Sequence, residues 1–162
     1  MIRLSRAFAA LVSILLLLGG PVGAQTSDEH AAAKQQAQGA AESWLTLVDN
    51  DEFEASWDAA ASLLQKRIKR EAWVQKARRL RDTVQAPSAR TLALTQFRDS
   101  LQRAPGGGPF VLLKYRSTFG GGRFEELLLT VRQDTTWKVT GYQVTPLRSP
   151  TAPSPPNAPD SP

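Results

Sequence analysis

Cysteine is absent from the 162-residue chain, and histidine and methionine each occur once. Without Cys there is no disulfide to staple the fold, no thiolate nucleophile, and no thiol to carry a lipid anchor, so apolar burial must supply the stability. A Ser-His-Asp triad would have to use His30, the single histidine, and no Gly-x-Ser-x-Gly elbow occurs. Metal sites built from Cys and His fail on the same inventory, so neither metal nor cofactor is expected. The acids at Asp49 and Asp51 resemble the start of a calcium loop, but Glu54 stands where the loop needs Gly and Ala60 where it needs Glu. The glycine runs at Gly106–Gly108 and Gly120–Gly122 lead into neither Lys-Ser/Thr nor a helix, which excludes a P-loop and leaves turn chemistry.

The N-terminus is the first informative stretch. Arg3 and Arg6 precede an apolar run from Ala7 to Leu18, followed by Gly19, Gly20, Pro21 and the small-residue site Val22-Gly23-Ala24. This is the layout of a signal peptide, with cleavage expected after Ala24. The run is too short for a permanent span, so no transmembrane helix is expected in the mature form. The separated arginines argue against twin-arginine export, and a lipoprotein is excluded. The expectation is a periplasmic or secreted bacterial protein. Losing Arg3 and Arg6 leaves 18 basic against 15 acidic residues, a mild excess that does not point to nucleic acid.

The next stretch, residues 25–39, is polar and Ala/Gln-rich, with Gly39 a weak point that would fray a helix before it. A single domain is expected over residues 40–147. Ala37, Ala41, Trp44 and Val48 recur at helical spacing, and so do Phe53, Trp57, Ala60, Ala61, Leu64 and Ile68. The spacing predicts one helix ending near Asn50, a residue that tolerates the left-handed conformation. A second helix should run from about Glu52 to Ile68, capped by Asp51 with Glu54. A third follows Trp73, Ala77, Leu80 and Val84 and stops before Ala86-Pro87. From Ser88 the period drops to two. Strands are expected at Arg90–Phe97, Phe110–Phe119, Arg123–Arg132 and Trp137–Thr145, with Gly141 marking a bulge in the last. The fold class is α+β: three N-terminal helices packed on a four-stranded antiparallel meander. Residues 148–162, mostly Pro, Ser, Ala and Thr, read as a disordered tail.

Polar groups that could meet in a cavity are Asp58, Tyr115, Glu126 and Tyr142, with Trp57 beside the first. Glu126 lies between Phe124 and Leu128 on one strand face, surroundings that would raise its pKa and suit a general acid or base. The simpler alternative is an ion pair, for which Arg90 is the candidate partner. A basic run of Lys66, Arg67, Lys69, Arg70, Lys76, Arg78, Arg79 and Arg81 crosses the second and third helices. It reads as a solvated face, or as a contact for an envelope protein or an anionic envelope surface.

Taken together, Glu42-Ser43-Trp44-Leu45, Val48-Asp49, Ser56-Trp57-Asp58-Ala59-Ala60, Trp73, Arg90, the Pro105–Phe110 loop, Tyr115, Phe119, Glu126 and Trp137-Lys138-Val139-Thr140-Gly141-Tyr142 carry a resemblance. Over about Ala40 to Val144 the chain resembles a family of small exported bacterial proteins known as a domain of unknown function, DUF4019. The resemblance implies a cystatin-like or NTF2-like arrangement, in which helices cover a curved sheet and leave a pocket. It brings no catalytic residues. Two functions are expected: a non-enzymatic binding module of the cell envelope, or a small-molecule binder or simple acid-base enzyme with its pocket between helices and sheet.

Overall fold

The computed structural model describes residues 22–101 and 108–147. Four helices, α1 (Val22–Asp49), α2 (Phe53–Ala59), α3 (Ser62–Arg67) and α4 (Arg70–Val84), precede four strands. These are β1 (Pro87–Arg98), β2 (Phe110–Phe119), β3 (Gly122–Gln133) and β4 (Thr136–Pro146). The strands form one antiparallel sheet in chain order, so the α+β class and the meander are as the change of period predicts. Most of the expected leader and all of the expected C-terminal tail lie outside the described residues. No helix among the described residues is long and apolar enough to cross a membrane.

The helices depart from expectation in three places. Gly39 does not interrupt α1, and the segment ahead of it packs: Ala33 lies against the core and His30 stacks on Phe97 of β1 with ring centroids 4.0 Å apart. The left-handed residue after α1 is Asp51 (φ 60°), not Asn50. Glu52 N–H donates to Leu47 O at 2.8 Å and Asp51 N–H to Val48 O at 3.3 Å, the two bonds of a Schellman ending. Asp51 therefore closes α1 and does not cap α2, whose first turn has no side-chain cap.

Third, the expected helix from Glu52 to Ile68 is two helices. Ala60 and Ala61 are extended, because the Ala61 N–H leaves the helical ladder to donate to Val139 O of β4 at 2.8 Å. Trp57 Nε1 and Gln65 Nε2 then bridge the break, donating to Ile68 O at 2.9 Å and Trp57 O at 3.0 Å. The apolar stripe survives, since Phe53, Ala60, Ala61 and Leu64 are all buried.

The main core lies between the helices and one sheet face, where Ala37, Ala41, Trp44, Leu45 and Val48 of α1 meet Val111, Leu113, Leu128 and Val139. Three tryptophans are buried there. Trp44 and Trp73 converge on Ser56 of α2: one indole donates to its carbonyl at 2.7 Å and the other to its Oγ at 2.9 Å. This ties α1, α2 and α4 to a single residue. Between β2 and β3 the chain turns at Gly120 (φ 50°) and Gly121 (φ 83°), a two-residue hairpin needing two left-handed residues in succession. In β4 the pairing shifts so that Leu129 faces Gly141 and Thr130 faces Val139, leaving Thr140 as the extra residue of a bulge. In an unbulged strand Tyr142, three residues after Val139, would lie on the face opposite Trp137 and Val139. The bulge takes up the odd residue, so Tyr142 turns inward and its ring meets Trp44 edge-on at 5.3 Å.

Candidate functional site

Glu126 is fully buried in the middle of β3. Three neighbours on the same sheet face reach it. Arg90 of β1 donates Nε to Oε2 at 2.6 Å and Nη2 to Oε1 at 3.2 Å, a two-pronged grip. Ser117 of β2 donates its hydroxyl to Oε2 in a short hydrogen bond, and Tyr142 donates its hydroxyl to Oε1 at 2.7 Å. These residues stand on three different strands, so only the folded sheet brings them together.

Arg90 also reaches upward to the helices. Its Nη1 donates to Asp49 Oδ2 at 2.7 Å and its Nη2 to Asp49 Oδ1 at 3.2 Å. Asp49, the last residue of α1, takes a second short contact from Arg81 Nη2 of α4. Arg81 spends its remaining donors on helix ends: Nε to Val48 O at 3.2 Å and Nη1 to Gln85 O at 3.0 Å. Its guanidinium carbon lies 5.5 Å from the Phe119 ring centroid. The result is an alternating chain, Arg81, Asp49, Arg90, Glu126, whose two positive and two negative charges cancel.

Burial by itself pushes the Glu126 carboxyl up, the direction its apolar neighbours suggest in the sequence. The hydrogen bonds from Arg90, Ser117 and Tyr142 and the charge of Arg90 outweigh that cost, so its pKa falls below the ordinary carboxylate value. This corrects the expected rise: Glu126 is an ionised carboxylate and Arg90 is its ion-pair partner. Tyr142 is pushed well above its usual range, by burial first and then by the adjacent carboxylate. Tyr115 rises to about 12, again through burial first and then the negative charge of Glu42.

Of the five residues singled out in the sequence, Tyr115, Glu126 and Tyr142 share the helix-covered sheet face. Tyr115 Oη is buried and makes no hydrogen bond among the described residues. Asp58 is elsewhere, on the surface, paired with Arg70 at 2.8 Å. Trp57 is half-buried and serves the α2–α3 break. Arg81 must be withdrawn from the solvent-facing basic run, since it is 6% exposed and fully engaged. Lys66, Arg67, Lys69, Arg70, Lys76, Arg78 and Arg79 remain exposed. Sequence reading missed Asp49, Arg81 and Ser117 as members of the network.

Grooves open beside this framework among the described residues. One of 350 Å³ lies over the α1–α2 turn and includes Asp49, Arg81, Asp82 and Gln85. One of 460 Å³ separates α1 from the start of β4. Two more, of 250 and 150 Å³, lie between α4 and β4. Among the described residues no three His, Cys, Asp or Glu side chains gather in a way that would hold a metal ion.

Helices on one face of a four-stranded antiparallel sheet, pinned to it by a neutral chain of buried ion pairs, define a small α+β module with open surface grooves. The chain belongs to the family described as protein of unknown function (DUF4019), whose model matches residues 40–142. The match runs from the second half of α1 to Tyr142, spanning Asp49, Arg81, Arg90, Ser117 and Glu126. No curated protein matches the chain.

Proposed function

We propose that this chain is an exported, non-enzymatic binding module of the bacterial cell envelope. One observation carries the reading: the carboxylate best placed for acid-base chemistry, Glu126, is committed to Arg90, Ser117 and Tyr142. A general base needs a proton affinity near the working pH and a free lone pair facing substrate. Glu126 is held below the ordinary carboxylate range with no exposed surface. What remains open to a partner is the set of grooves and the exposed cations Lys66, Arg67, Lys69, Arg70, Arg78 and Arg79. These suit an anionic envelope component or an acidic protein surface.

Export rests on the leader-like sequence Met1–Ala24. Cleavage after Ala24 would leave Gln25–Asp49 of α1 in the mature chain. A cystatin-like or NTF2-like arrangement accords with helices on one side of an antiparallel sheet. The small-molecule half of the second reading is kept by the grooves between helices and sheet, of 460 and 250 Å³, which lie near the size of ligand pockets, about 300–1,000 Å³.

Fractionation of cells expressing the full chain tests export: the expected product is periplasmic and begins at Gln25, and a cytoplasmic product retaining Met1 overturns it. Native mass spectrometry of the recovered protein tests binding. A retained ligand or partner supports the module. Turnover of a substrate that is lost in Glu126→Gln while the fold persists overturns the non-enzymatic reading.

A further inference from the structure

The two grooves between α4 and β4 share Trp73, Lys76 and Tyr142 in their linings, so they adjoin along the α4–β4 seam and are treated together as one trough. Its floor is apolar: Leu64, Ile68 and Trp73 at one end, Ala77, Leu80 and Val144 at the other. Its charges are of one sign. Arg67 and Lys76 line it, neither makes an ion pair among the described residues, and no Asp or Glu does so. Cations with no acid beside them in the lining leave the trough a positive local potential.

A second observation stands independently of the charge. Thr140, the extra residue of the β4 bulge, lines the trough at 4% exposure, and its Oγ1 has no hydrogen-bond partner among the described residues. A buried hydroxyl left unmatched costs about 1–3 kcal/mol, and a ligand oxygen placed in the trough would remove that cost. The apolar floor asks for a hydrocarbon or aromatic body; the cations and the hydroxyl ask for an oxyanion.

We infer that the α4–β4 trough binds a small amphipathic carboxylate, its apolar body along Trp73, Leu80 and Val144 and its carboxylate between Arg67, Lys76 and the Thr140 hydroxyl. The inference deepens the binding-module reading by giving it one site and one ligand class. The indole of Trp73 is locked by Ser56 and Tyr142 is locked by Glu126, so the wall is rigid before any ligand arrives.

Titration of the full chain with octanoate, octanol and octylamine, followed by backbone amide and indole NMR shifts, tests it. Octanoate is expected to bind saturably and tighter than octanol, with octylamine inert and the shifts confined to Trp73, Lys76 and Thr140–Val144. Arg67→Gln and Lys76→Gln, both on exposed side chains, should each weaken octanoate on the order of five-fold and leave octanol unchanged. Thr140→Val should weaken octanoate without altering the charge. Equal affinity of the native chain for octanoate and octanol, shifts mapping elsewhere, or no saturable binding overturns the site. Native mass spectrometry separates the two levels: a partner retained on a protein that ignores octanoate removes the site and keeps the module. Neither retention nor octanoate binding removes both.

Discussion

Asp49 is the last residue of α1 and Asp58 stands near the end of α2, and each faces an arginine of α4. There the likeness ends. The Asp58 and Arg70 side chains are 55% and 44% exposed, and the pair is held by one bond. Asp49 and Arg81 are 21% and 6% exposed, and Asp49 also holds Arg90, which in turn holds Glu126. An exposed pair gains about 0.2–1 kcal/mol because water competes for both ions. A buried one carries a different risk: removing one partner strands a charge in a poor solvent and costs about 3–5 kcal/mol, whereas replacing the whole set by apolar groups can be neutral. The same residue types thus make an ornament at one end of α4 and a keystone at the other.

The largest effect should come from the centre of the network. Arg90→Met leaves buried Glu126 without a cation and Asp49 with Arg81 alone, and should cost about 3–5 kcal/mol in urea denaturation. Adding Glu126→Leu to that variant should recover part of the loss. A double variant no better than the single would mean that the charges do not act as a unit.

Tyr142→Phe comes next: it removes one hydrogen bond to a charged acceptor, worth about 1.5–3 kcal/mol, while keeping the ring against Trp44. The acid limb of the stability profile sharpens the contrast further. The folded pKa of Glu126 is lowered, so its contribution is fully present above the unfolded value of about 4.3 and is lost as pH falls through the folded value. Thermal melts from pH 6 downward should therefore fall more steeply for the native chain than for Glu126→Gln. Equal slopes would show that the carboxylate is not held ionised by folding. The smallest change belongs to the surface: Arg70→Ala should shift stability by less than about 1 kcal/mol, and a larger loss would erase the distinction between the two pairs.

The strands were legible because alternation has a period of two and Gly or Asp punctuates each turn. The α2–α3 break was not, since Ala60 and Ala61 carry no breaker signal and the cause is a carbonyl of β4, nearly eighty residues away. Within the network Arg90 and Glu126 were readable as strand-face partners. Arg81 could have been found: it sits four residues after Ala77 and three before Val84, on the buried stripe, where an arginine implies a buried acid. Ser117 gave the same hint, alternating with Tyr115 and Phe119. Asp49 gave none, because its role depends on how α1 is angled over the sheet.

α1 touches all four strands, and Trp44 within it meets Tyr142 of β4. Synthesis from the N-terminus therefore makes α1 before any of the four strands and delivers its last partner, β4, only after the other three. Until β4 exists, α1 has no complete surface to rest on, and contacts so distant along the chain form slowly. The first helix to be made is thus the last to be fully covered.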